Sequence, residues 1–159
     1  MPYIETTKVA AMRKAIKAAL PEYKISVTKR HHSGVDVAVL AGPIVGVDGV
    51  NIYWYKDHFG PEKLDRPDAI AVIQTIIDCI FAVERPRTLV EDSDYGNVPT
   101  FYYDVSFGKW DQPYVCTDPD AADRLAIQQE FRRIDRWHEQ EARYAEYQRE
   151  RESNLHLVA

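Results

Sequence analysis

Residues 3–43 read YIETTKVAAMRKAIKAALPEYKISVTKRHHSGVDVAVLAGP, and two different periodicities meet in them. Val9, Met12, Ile16 and Leu20 recur at helical spacing and form one apolar stripe, while Lys8, Arg13, Lys14 and Lys17 take the remaining faces. Thr6 or Thr7 is the expected N-cap, since a hydroxyl oxygen can accept from an unpaired first-turn N–H. Pro21 ends the helix because it lacks a donor and clashes with the preceding turn. From Tyr23 the period becomes two. Tyr23, Ile25 and Val27 alternate with Lys24, Ser26 and Thr28, and Val35, Val37 and Val39 alternate with Asp36 and Ala38. Arg30 to Gly34 lies between them as a turn, with Gly34 the residue able to take positive φ. A basic helix running into a β-hairpin is thus the unit onto which the rest of the chain packs.

Gly42-Pro43 breaks this unit, and Val50 to Tyr55 (VNIYWY) is composed like a third strand. After a loop around Gly60-Pro61, Pro67 opens a second helix that is apolar at 69, 70, 72, 73, 76, 77, 80 and 81. Only Gln74, Thr75 and Asp78 interrupt it, so it should be sandwiched against a sheet. Phe101, Tyr103, Val105 and Phe107 alternate with Tyr102, Asp104 and Ser106 as a fourth strand, and Trp110 and Tyr114 to Cys116 can add a short fifth. A last helix is expected from Pro119 to about Glu152, with Leu125, Phe131, Ile134, Trp137, Tyr144 and Tyr147 as its stripe. The resulting fold class is α+β, ordered α-β-β-β-α-β-(β)-α, with a small, mostly antiparallel sheet packed by helices. Residues 1–117 would form the core and 118–159 a long charged C-terminal helix packed on or projecting from it, a single domain overall.

The 3–43 segment resembles one of the large polyvalent protein-associated domains of phages and conjugative elements. The likeness rests on Thr6-Thr7-Lys8, Leu20-Pro21, Ile25-Ser26-Val27, Ser33-Gly34, Val35-Asp36-Val37 and Gly42-Pro43, and covers about a quarter of the chain. The resemblance implies a mobile-element origin and an accessory role. Proteins of such elements often modify host defence or DNA metabolism.

Composition narrows the function classes. The 159 residues are 45% apolar, enough for one ordinary core, and the formal net charge is −5. Residues 1–40 carry seven Lys/Arg against three Asp/Glu, a balance of +4, whereas 41–117 stand at −6 and 118–159 at −3. An overall acidic chain does not coat nucleic acid or an anionic membrane, but such a dipolar one steers partners. Cys79 and Cys116 form no metal or redox motif, and the most apolar stretch, 69–83, is too short to span a bilayer. A protein of the host-cell cytoplasm, with no membrane association, is expected.

Motifs for catalysis are missing. There is no nucleophile elbow, phosphate-cradling glycine loop or helical zinc motif, so a non-enzymatic protein without cofactor or metal is expected. His31 and His32 are adjacent, and neighbouring strand residues point to opposite faces, which disfavours chelation of one ion. Asp92, Asp94 and Gly96 start like a calcium loop, but its twelfth position falls on Tyr103.

Two binding surfaces compete. Tyr53, Tyr55 and Tyr102 fall opposite the core by alternation, and Glu91, Asp92, Asp94, Asp104 and Asp111 supply carboxylates. Tyrosine anchors with acidic neighbours suit a basic protein partner, such as a host protein or defence complex. Alternatively Arg13, Lys17, Lys29, Arg30 and His31 contact nucleic-acid phosphates. A homodimer through the C-terminal helix would cover its stripe.

Overall fold

The switch from a helical to a strand period near Tyr23 is realised in the computed structural model, which describes residues 1–52, 66–89 and 98–157. Helix α1 (Thr6–Ala19) leads into strands β1 (Lys24–Arg30) and β2 (Gly34–Gly42), then helix α2 (Pro67–Val83). Strands β3 (Thr88–Leu89), β4 (Val98–Pro99), β5 (Tyr102–Phe107) and β6 (Val115–Cys116) follow, and helix α3 (Ala121–Leu157) comes last. The chain divides into two compact units, Met1–Pro119 and Asp120–Ala159. No described helix is long and apolar enough to cross a membrane.

The first unit is organised by β2. On one edge it pairs antiparallel with β1, from Ile25↔Val39 to Arg30↔Gly34. On the other edge it pairs parallel with β5, from Gly34↔Tyr102 to Val39↔Phe107, and then with β6 at Ala41↔Val115 and Gly42↔Cys116. Parallel neighbours need a long crossover, and the connection containing α2 supplies it. β3 and β4 form a separate antiparallel pair. The fold is therefore α+β, with a small mixed sheet of four strands packed by helices.

Alternation sends Ile25, Val27, Val35, Val37, Val39, Val105 and Phe107 to one face, where they join Val9, Met12 and Ile16 of α1 and Ile73, Ile76 and Ile80 of α2 in one buried cluster. Each such side chain contributes about 1.5–3 kcal/mol by leaving water. Side-chain ties align the layers. Arg13 donates from Nε and Nη2 to the Val27 carbonyl at 3.2 and 2.7 Å, and Lys8 meets Glu84 at 2.7 Å between the two helices.

Three local expectations are corrected. Glu5, not Thr6 or Thr7, is the N-cap of α1, without a side-chain cap; Thr7 Oγ1 instead donates to the Glu5 carboxylate at 3.2 Å. The hairpin turn takes its positive φ at His31 (52°), because Gly34 is already in the ladder opposite Arg30. The third strand is a short run on the outer edge of β5. Gly49 N–H donates to Phe107 O (2.9 Å), Phe107 N–H to Val50 O (2.8 Å), and Asn51 bridges Ser106. The remainder of VNIYWY lies outside the described residues.

Two ties brace the far end of the sheet. Gly42 sits under the Tyr23 ring and beside the Tyr114 hydroxyl, so any Cβ there would overlap Tyr23. Tyr114 in turn accepts from Ile44 N–H at 3.3 Å, and burial pushes both phenols up to about 12. Gly42→Val should lower stability by about 1–3 kcal/mol through overpacking, seen as a reduced denaturation midpoint.

At the start of α2, the buried Arg66 holds both Asp68 oxygens, at 3.0 and 2.8 Å, and donates to Gly46 O at 3.2 Å. Asp68 also accepts from Ala69 N–H at 2.9 Å. Partial burial alone would raise the Asp68 carboxyl, but the Arg66 and Ala69 hydrogen bonds outweigh it and the net direction is down. Its contribution is thus present above the ordinary carboxylate range and is lost as pH falls through its lowered value. Asp68→Asn should cost about 1–2 kcal/mol at neutral pH, discounted for the partial exposure of the pair. In denaturant titrations against pH, the difference from the parent should vanish at the acidic end.

Candidate partner interface

The face of the sheet opposite the α1–α2 core carries the polar half of each alternation: Ser26, Thr28 and Arg30 from β1, Asp36 from β2, and Tyr102, Asp104 and Ser106 from β5. Parallel register sets Asp36 directly beside Asp104 and Gly34 beside Tyr102. The two carboxylates are therefore neighbours across one strand spacing, about 5 Å. One oxygen of each, Oδ1, is enclosed without a hydrogen-bond donor. Arg30 Nε approaches Asp36 Oδ1 at 3.5 Å, an ion pair but no hydrogen bond. Burial raises the Asp36 carboxyl, Arg30 opposes this, and the Asp104 charge adds to the rise.

A tight turn borders this face where β5 ends. Lys109 and Gln112 exchange both backbone hydrogen bonds, N–H to O at 2.7 and 3.2 Å, leaving Trp110 and Asp111 at the tip. Gly108 enters the turn at φ 80°, and a Cβ there would lie 2.5 Å from Asp48 Oδ1 and 2.9 Å from Tyr114 N. Asp48 Oδ1 accepts from Tyr114 N–H at 2.8 Å, which closes the base of the turn. Lys109 reaches back to Ser26 Oγ at 3.1 Å, tying the turn to β1. On this braced support Trp110 is 97% exposed, against 44% for Tyr102. A tryptophan held by a fixed turn and left in water is the kind of residue that carries interface energy.

The expected acidic and aromatic set is thus partly assembled. Tyr102 and Asp104 share the open face, and Asp111 lies on the turn beside it. Tyr53, Tyr55, Glu91, Asp92 and Asp94 lie outside the described residues. Asp36, Lys109 and Trp110 are the additions that sequence reasoning missed as site residues. Gly108 followed by Asp111-Gln112-Pro113 is turn composition, and it would have placed Trp110 at an apex.

Three of the five residues of the expected basic edge make contacts within the fold, although Arg13 and Arg30 stay exposed. Arg13 is held by the Val27 carbonyl, Lys29 lies 4.9 Å over the Tyr3 ring, and Arg30 faces Asp36. Lys17 is exposed in the last turn of α1, and His31 is exposed in the hairpin turn. Among the described residues no group of three or more His, Cys, Asp or Glu side chains could hold a metal ion. Cys79 and Cys116 are free thiols, both half-buried, and burial raises Cys79. No family model, curated protein or solved structure matches this chain.

The Asp36–Asp104 pair gives a direct electrostatic test. Replacing Asp104 with Asn removes the neighbouring charge that raises the Asp36 carboxyl. Carbon-detected NMR titration of Asp104→Asn should then show Asp36 titrating at lower pH than in the parent.

Proposed function

We propose that this chain is a phage or mobile-element accessory protein that acts by binding a host protein, as an inhibitor of a defence system of the CRISPR type. The observation that carries protein binding is Trp110, fully in water on a turn clamped by Asp48 and Lys109, beside Tyr102 and Asp111. An aromatic anchor rimmed by carboxylates suits a basic protein surface, where the aromatic supplies affinity and the rim charges steer the encounter. The mobile-element context rests on the resemblance of residues 3–43. The inhibitor role follows from that context together with the net charge of −5, since acidic proteins can occupy basic channels built for nucleic acid.

The alternative, a nucleic-acid module using α1 and the hairpin turn, has less support. Three of its five residues make the intramolecular contacts described above, and a phosphate would have to displace them.

The test is affinity capture from host lysate with the parent chain and Trp110→Ala side by side. A stoichiometric protein should be recovered by the parent, and Trp110→Ala should weaken its binding at least tenfold, about 1.4 kcal/mol, without lowering the denaturation midpoint. Absence of any stoichiometric partner would remove the basis of this reading, and a salt-sensitive gel shift abolished by Arg30→Glu would replace it with the nucleic-acid one.

A further inference from the structure

β1 ends the four-stranded sheet, with β2 on one side and, among the described residues, no strand on the other. Which of its backbone groups face that outer edge follows from the register of its neighbours. Ser33 O, just before β2, accepts from Tyr102 N–H, and Val39 O accepts from Gly108 N–H, both at 2.8 Å. The odd-numbered residues along β2 therefore turn their backbone groups to β5. The even-numbered ones face β1, so Ser26↔Ala38, Thr28↔Asp36 and Arg30↔Gly34 are the hydrogen-bonded pairs. The N–H and C=O groups of Ile25, Val27 and Lys29 then point away from the sheet. Among the described residues, Arg13 on the Val27 carbonyl is the only partner they have on that side. Val27 is only 3% exposed, so its outward N–H has little water to donate to instead.

The same edge is basic on both sides. Lys24 and Arg30 are exposed on its open face, where Lys109 also reaches Ser26. On the helix side Arg13 reaches the edge, and Lys17 follows it by one turn on the same flank of α1. Backbone and charge together select the occupant. A second copy of β1 would bring Lys24, Lys29 and Arg30 against the same cations, and a charged edge excludes a strand of like charge. A nucleic-acid backbone offers acceptors alone, leaving the Ile25 and Lys29 carbonyls facing anions. A peptide main chain offers a donor and an acceptor in alternation, which is what this edge lacks.

We infer that the outer edge of β1 is a strand-addition site for an extended acidic segment of a partner protein. Its main chain continues the ladder at Ile25, Val27 and Lys29, and its carboxylates face Lys24, Arg30, Arg13 and Lys17. A carboxylate is a stronger acceptor than a neutral carbonyl, so docking draws the Arg13 guanidinium off Val27 and opens the middle of the edge. This edge is distinct from the Trp110 turn and is a site whether or not that turn binds a host protein.

NMR of the full chain with the synthetic peptide acetyl-EVEVEVE-amide tests the proposal. Saturating peptide should slow amide hydrogen exchange roughly tenfold or more at Ile25, Val27 and Lys29. Ser26 and Thr28, already bonded to β2, should be unchanged, an every-second-residue pattern that loose charge attraction cannot produce. Acetyl-EVEPEVE-amide carries the same charge but lacks the central donor, and should bind at least roughly tenfold more weakly. Acetyl-KVKVKVK-amide should be weaker by as much, and so should the acidic peptide on Arg30→Glu. No protection by the acidic peptide, equal binding of its proline version, or tighter binding of a short single-stranded DNA would each overturn the proposal. Protection that grows with protein concentration alone would overturn it too, by giving the edge to a second copy.

Discussion

The first unit depends on β2 being paired along both edges. Its burial shows this: Val35, Val37 and Val39 are sealed under the helices, while Ala38 and Leu40 on the other face are also buried. A strand in that position takes β1 from the hairpin on one edge and needs a second partner on the other. β5 fills the place in parallel, which requires the chain to cross over between Gly42 and Tyr102. α2 is the crossover helix, and its almost continuous apolar surface fits a helix packed against both the sheet and α1. The side-chain ties serve this arrangement. Arg13 fixes α1 to β1, Arg66 and Asp68 fix the start of α2, and Gly42 lets Tyr23 close over the end of β2.

The elements were legible because hydrophobic period is local. Val9, Met12 and Ile16 give α1, and the Val-x-Val-x-Val run gives β2, from spacing alone. Direction is not local. The alternation of Phe101, Tyr103, Val105 and Phe107 is the same whether β5 runs with or against its neighbour, so the parallel pairing with β2 could not be read from it. Caps were also illegible. Thr6 and Thr7 have the right chemistry, but the helix starts one residue earlier and Thr7 bonds to Glu5 instead. At the hairpin turn, glycine at the end of RHHSG invited positive φ, yet β2 begins there and the left-handed residue is His31.

Charge in the sequence did not show which basic groups would be free for a partner. The balance of +4 over residues 1–40 suggested a basic edge. Folding directs Arg13 to a backbone carbonyl, Lys29 to an aromatic ring and Arg30 to a carboxylate, each a short-range contact that only tertiary structure creates. The open sheet face moves the other way. Asp36 read as the polar member of an alternation, and Asp104 as an outward strand residue; parallel register makes them neighbours. Two carboxylates one strand spacing apart repel, and each keeps an enclosed oxygen without a donor.

That pair bears on why the Trp110 face is the stronger candidate for contact. Arg30 and Lys109 lower the Asp36 carboxyl, and burial with Asp104 raises it, with a net rise. A raised carboxyl destabilises the folded chain above its ordinary range, so the free protein carries an electrostatic cost on this face at neutral pH. The neighbouring turn exposes a large apolar ring while being fixed at both ends. Each feature alone is a small loss, and the two lie together where Lys109 spans from the turn to Ser26. A cationic surface docking there would act on both at once: its charge would offset the two carboxylates, and the contact would remove the indole from water. Neither gain is available to a phosphate backbone, which would meet the same carboxylates with repulsion.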